Sequence, residues 1–125
     1  MPKTLLIIDD SKTLRHQVVE ILQPTRLFGR YLEAENGLEA LHLWREQDFD
    51  VIITDCHMPG MDGFALARAI RADPRADAAR VPIIALTASV LDSTRQACHD
   101  AGIDRFIAKP VDRPALHATL AAVLM

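Results

Sequence analysis

The chain has 125 residues, 50% hydrophobic and 25% charged, which is enough apolar side chain for one sizeable core and suits one domain spanning residues 1–125. With 14 basic and 17 acidic side chains the net charge is −3, so no basic field exists to hold nucleic acid or an anionic membrane. The leading apolar run, Leu5 to Ile8, is far too short for a signal sequence or a membrane span, and Cys56 and Cys98 form neither a disulfide framework nor a zinc pattern, so a soluble cytoplasmic domain with reduced thiols is expected.

In chain order, apolar bursts alternate with stretches of helical period. The first strand, Leu5 to Ile8, is apolar without alternation, as expected of a strand buried on both faces. Leu14, Val18, Ile21 and Leu22 then mark a helical face, and Pro24 lies beyond its end. Tyr31 to Ala34 reads as the second strand, and Asn36-Gly37 opens a helix whose inward face carries Leu38 and Leu41, with Trp44 as a packing residue near its end. The third strand, Val51 to Thr54, is again unbroken. Pro59 shapes the loop after it, and Asp62-Gly63 supplies the turn and cap of a helix with Phe64, Ala67 and Ile70 inward. Asp73 to Arg80, with Pro74 and alternating charges, reads as a solvated loop. Ile83 to Leu86 is the fourth strand, followed by a helix with Val90, Thr94, Ala97, Cys98 and Ala101 on one face and Gly102 as its C-cap. Arg105 to Ala108 is the fifth strand, and Leu116 and Leu120 mark the last helix. Alternation of this kind gives a doubly wound parallel α/β domain, which binds its ligand outside the carboxyl ends of the strands.

Those ends carry chemistry: Asp9 and Asp10 after the first strand, Asp55 after the third, Thr87 after the fourth, Lys109 after the fifth. Two adjacent carboxylates facing a third repel one another unless a cation sits among them, and hard oxygen ligands suit Mg²⁺. A carboxylate can attack phosphorus to give an aspartyl phosphate, with Asp55 as nucleophile. Phosphoryl transfer then needs mainly positioning and charge compensation, which Mg²⁺, the Lys109 ammonium and the Thr87 hydroxyl would share among the equatorial oxygens.

The motifs LLIIDD, VIITDCHMPGMDG, IIALTAS and FIAKPV, in this order and across the whole chain, resemble the receiver domain of two-component response regulators. The resemblance implies a flavodoxin-like (βα)5 fold with strand order 2-1-3-4-5. It implies Mg²⁺ held by Asp10 and Asp55 directly, by Asp9 through water and by the main-chain carbonyl of His57, and a cis peptide bond before Pro110. It also implies a phosphoryl donor, a phosphohistidine on a sensor histidine kinase or histidine phosphotransfer protein. Switching would couple Thr87 to inward rotation of an aromatic ring at Phe106 and alter the face of the fourth helix, fifth strand and fifth helix toward a protein partner or a second copy. Phe106 lacks the hydroxyl of the commoner tyrosine, which removes a hydrogen bond that could hold one rotamer. His57 and Ser89 match positions that tune acyl-phosphate hydrolysis. Met1 close to the first strand fits a stand-alone or N-terminal receiver, while residues 55–63 and 101–104 are similar to receivers attached to hybrid sensor kinases.

Plainer readings account for other residues. Cys56-His57 and Cys98-His99 lack metal-ligand spacing; Cys98 reads as core, and Cys56, beside the loop, as the thiol open to oxidation. His16, His42, His99 and His117 read as surface residues. A haloacid-dehalogenase-type phosphohydrolase would need a second Asp at position 11, which is Ser11, and no GxGxxG or GxxxxGK[ST] motif occurs. A constitutive, unphosphorylated interaction module fits poorly with the full set Asp10, Asp55, Thr87 and Lys109. The expectation is a signalling switch rather than a turnover enzyme.

Overall fold

The computed structural model describes residues 3–74, 81–88 and 91–124. Among them, strands β1 (Thr4–Ile8), β2 (Arg30–Ala34), β3 (Val51–Asp55), β4 (Ile83–Thr87) and β5 (Arg105–Ala108) alternate with helices α1 (Lys12–Leu22), α2 (Gly37–Glu46), α3 (Gly63–Arg71), α4 (Asp92–Ala101) and α5 (Arg113–Leu124). The strands pair in parallel in one sheet of order β2-β1-β3-β4-β5. Every residue of β1, β3 and β4 is buried, whereas the edge strands β2 and β5 are half exposed. That contrast is what unbroken apolar runs in the middle of a helix-covered sheet require.

Because successive side chains of a strand point to opposite faces, each apolar run feeds two cores. Leu5, Ile7, Ile53, Ile84 and Leu86 pack with Val18 and Leu22 of α1 and Leu116 and Leu120 of α5. Leu6, Ile8, Ile52, Ile83 and Ala85 pack with α2, α3 and α4 through Ala40, Trp44, Leu66, Ile70 and Cys98. Leu66 is fully buried, and Leu66→Ala is expected to cost about 3 kcal/mol through lost transfer energy and a cavity. Urea denaturation followed by the fluorescence of Trp44, itself buried, measures it.

Helix starts follow from side-chain caps: Ser11 accepts from Leu14 N at 3.2 Å, Asn36 from Glu39 N at 2.8 Å, Asp62 from Ala65 N at 2.8 Å and Asp112 from Ala115 N at 3.2 Å. Gly102 closes α4 with φ +88°, a left-handed conformation that side-chain-bearing residues rarely adopt. Pro24 falls in a short 3₁₀ turn, Gln23–Thr25, that prolongs the end of α1. The indole of Trp44 also donates to Asp73 Oδ2 at 2.8 Å, tying α2 to the end of α3.

Two expectations change. Leu38 is 62% exposed: α2 turns Gly37, Ala40, Leu41 and Trp44 inward, so a leucine in its first turn faces out. His117 is half buried on α5, with its Nε2 enclosed, rather than a surface residue; His16, His42 and His99 are exposed. Most of the 73–80 loop, Ser89 and Val90 lie outside the described residues.

Candidate metal and phosphoryl site

At the carboxyl end of the sheet, β1 and β3 are direct neighbours, so their last residues converge. Asp9, just past β1, is fully buried; its amide donates to Ala34 O at 3.1 Å and its Oδ1 accepts from Ser11 N at 2.8 Å. Asp10 follows and is exposed. Asp55 is the last residue of β3 and only 6% exposed. One carboxylate oxygen from each of Asp9, Asp10 and Asp55 lies within 4.8 Å of the others, so the three carboxylates named from the sequence do come together.

Lys109, beyond β5, reaches into the cluster. Its Nζ stands 3.1 Å from Asp9 Oδ2 and 3.2 Å from Asp55 Oδ1. The contact to Asp9 is close as an ion pair but lacks hydrogen-bond geometry, and Asp9 Oδ2 keeps no hydrogen-bond partner. Burial raises the Asp9 carboxyl above its usual range and the Asp55 charge adds to this, while the Ser11 amide and Lys109 pull it back. Burial by itself would lower the Lys109 ammonium, but its close contact with Asp9 and the charges of Asp55 and Asp9 outweigh it and hold it above its ordinary value. One ammonium among three carboxylates leaves negative charge uncompensated, and a buried carboxylate oxygen that accepts no hydrogen bond keeps a lone pair to offer. Both features fit a hard divalent cation.

Thr87 ends β4 fully buried, and its carbonyl accepts from Lys109 N at 2.8 Å, so the ends of β4 and β5 are locked together beside Asp55. The Lys109–Pro110 peptide bond is cis. His57 is exposed; its amide lies 3.4 Å from Asp55 Oδ1, a long hydrogen bond, and its ring meets Phe64 edge-on at 5.8 Å. Phe106 on β5 is half buried beneath the Arg95 guanidinium, 5.1 Å from its ring centroid, so a cation from α4 covers this ring.

The loop after Asp55 is pinned at both ends. Gly63 N donates to Cys56 O at 3.1 Å, and Gly37 N, at the start of α2, donates to Met61 O at 3.1 Å. A Cβ on Gly63 would fall 2.2 Å from the Asp55 carbonyl oxygen, and one on Gly37 would fall 2.4 Å from the Met61 carbonyl oxygen. Asp62 caps α3 as its type implies, and Gly63 is in addition a close-approach position against the site. Cys56 corrects another expectation. It is fully buried, and burial, with the neighbouring Cys98 and Asp55, pushes its thiol up to about 12, the opposite of a reactive thiolate.

Arg15 and Glu33 were not singled out from the sequence. Arg15 is buried on α1, pairs with Glu33 Oε1 on β2 at 2.9 Å and donates from Nη1 to the Asp9 carbonyl at 2.6 Å. The available signal was a charged residue three before Val18 and seven before Leu22, on the inward stripe of an amphipathic helix.

Fold and site together define a class: a parallel doubly wound domain with an acidic, lysine-bridged cleft at the carboxyl ends of its strands, where such sheets bind ligands. The family model of the response regulator receiver domain matches residues 5–121, and the chain belongs to that family. The virulence sensor protein BvgS of Bordetella pertussis is 40% identical over 123 residues, covering 93% of this chain and 10% of that protein. The chemotaxis protein CheY-3 of Vibrio cholerae is 34% identical over 116 residues, covering 93% of this chain and 87% of that protein. The chain therefore spans about a tenth of one relative's length and most of the other's. Among solved structures, the receiver domain of a sensor histidine kinase of Pseudomonas aeruginosa, with a magnesium ion in its active-site cleft, superposes with TM-score 0.84 at 30% identity, covering 99% of this chain and 98% of that one.

Proposed function

We propose that residues 1–125 act as one receiver unit that takes a phosphoryl group from a phosphohistidine onto Asp55, with Mg²⁺, and thereby changes its affinity for a protein partner. The observation that carries this reading is the convergence of Asp9, Asp10, Asp55 and Lys109 within a few ångströms at the strand ends. Mg²⁺ would be held by Asp10, Asp55 and the main-chain carbonyl of His57, with Asp9 assisting through water. When bound, the ion would neutralise charge on the transferring phosphoryl oxygens.

An Asp55 carboxylate oxygen forms the new P–O bond as the P–N bond of the donor imidazole breaks, and the imidazole recovers a proton. Lys109, already between two carboxylates, follows the charge onto the phosphoryl group, and the Thr87 hydroxyl supplies a hydrogen bond. Because Thr87 and Lys109 join the ends of β4 and β5, their movement would reach Phe106 and the Arg95 side chain above it. α4 is a suitable moving part, since its buried residues are only Cys98 and Ala101. The output would be the face of α4, β5 and α5, offered to a protein partner or a second copy, in a population shift between two states.

Donors of the kind implied are a sensor histidine kinase or a histidine phosphotransfer protein, and this reading makes the chain a switch rather than a turnover enzyme. No described helix is long and apolar enough to cross a membrane. Two free, buried thiols suit a reducing compartment such as the cytoplasm. Incubation with Mg²⁺ and a small-molecule phosphodonor, read by intact-mass spectrometry, is expected to add one phosphoryl group per chain. The gain should disappear on chelation and in Asp55→Asn. No gain, or a gain that survives Asp55→Asn, refutes the assignment.

A further inference from the structure

α1 carries a charge where its spacing calls for an apolar side chain. Arg15 lies on the stripe of Val18 and Leu22, and its side chain is 8% exposed. A guanidinium persists in such a place only when paired and hydrogen-bonded. Its Nε donates to Glu33 Oε1 at 2.9 Å, and its Nη1 donates to the Asp9 carbonyl oxygen at 2.6 Å.

That carbonyl belongs to the peptide joining Asp9 to Asp10. The rest of Asp9 is held as well, its amide on Ala34 O and its Oδ1 on Ser11 N. Asp10 is exposed, so the direction of its carboxylate depends on the peptide plane before it. Glu33, rooted in β2, fixes the other edge of the guanidinium, whose planar fork serves both acceptors at once.

We infer that Arg15, braced by Glu33, is a positioning residue for the metal site: by clamping the Asp9–Asp10 peptide it aims the Asp10 carboxylate at Asp9 and Asp55. This inference rests on the proposed reading of the three carboxylates as the Mg²⁺ site. Its sign distinguishes it from a charge effect. A cation beside the site repels Mg²⁺, so if Arg15 acted through charge alone its removal would tighten Mg²⁺ binding. A clamp predicts that removal loosens it.

Isothermal titration of the chain with Mg²⁺ at fixed ionic strength reads the difference. Arg15→Met keeps much of the apolar stem and loses every donor, and Kd is expected to rise about tenfold, the scale on which partners of metal ligands act. Arg15→Lys keeps the charge but not the fork, and a rise of about threefold or more is expected. Val18→Ala, which opens a cavity under the same helix, should leave Kd unchanged, separating positioning from loss of stability. Asp10→Asn should remove binding. If it does and Arg15→Met binds Mg²⁺ as well as or better than the parent, or Val18→Ala loosens binding as much, the positioning role is overturned and the site reading stands. If Asp10→Asn still binds Mg²⁺ fully, the site reading falls and the inference with it. Should Arg15→Met not fold, Arg15→Lys decides by the same criterion.

Discussion

Gly63→Ala is expected to lower stability by roughly 3 kcal/mol and to slow phosphorylation of Asp55 about 100-fold, because overpacking against rigid backbone displaces the reacting carboxylate. The added methyl would sit 2.2 Å from the Asp55 carbonyl oxygen and 3.1 Å from both the Asp55 carbonyl carbon and the Cys56 Cα. All three are main-chain atoms at the end of a fully buried strand, so no flexible side chain can give way. Relief would have to come from moving α3, which begins at Gly63, away from β3, or from moving Asp55 itself. Gly60→Ala provides the contrast. Gly60 has φ +78° but open space around the position of a Cβ, so only conformational strain is expected, about 1 kcal/mol. Urea denaturation followed by Trp44 fluorescence, with mass-spectrometric phosphorylation rates, compares the two. Equal effects on rate would show that the contact between Gly63 and Asp55 does not set the site.

Lys109→Ala is expected to leave the fold intact, to slow phosphorylation about 100-fold, and to leave the phosphorylated form without its conformational response. Lys109 is outside every strand and helix and belongs to neither hydrophobic core, so little apolar packing is lost. What is lost is the ammonium between Asp9 and Asp55, held charged by those carboxylates. A phosphoryl group on Asp55 carries close to two negative charges in place of the carboxylate's one, a net gain of about one negative charge beside Asp9. Lys109 is tied through its own amide to the carbonyl of Thr87, so its movement carries force into β4 and β5. Amide NMR spectra with and without saturating phosphodonor test this. The parent should show shifts at Thr87, Phe106 and along α4, and the variant only around Asp55. Shifts along α4 of parental size in Lys109→Ala would refute the coupling.

Parts of this site were legible from the chain alone because they rest on local pattern. The unbroken apolar runs Leu5–Ile8, Val51–Thr54 and Ile83–Leu86 could be stable only as central strands of a covered sheet, and they are fully buried. The acidic residues directly after two of those runs therefore had to lie at one edge of that sheet. Asn36, Asp62 and Gly102 announced helix ends through their own side-chain or backbone preferences, which act over three or four residues. Leu38 shows the limit: its period matched the inward face, but the first turn of a helix need not be covered, and this leucine is exposed.

The strand order came from resemblance, since periodicity gives each strand's faces and not its neighbours; parallel pairing of β1 with both β2 and β3 places Asp9 beside Asp55. By itself the sequence determined the alternating elements, their buried faces and the residue types available at the strand ends. Only the tertiary structure decided which atoms of those residues meet: Lys109 between Asp9 and Asp55, Gly63 against the Asp55 carbonyl, and Arg15 reaching 18 residues along the chain to Glu33 while holding the Asp9 carbonyl. The physical reason is range. Propensity and capping act within a turn or two, whereas the positions of charges and close backbone contacts depend on how separate elements pack, and sequence spacing does not encode those distances.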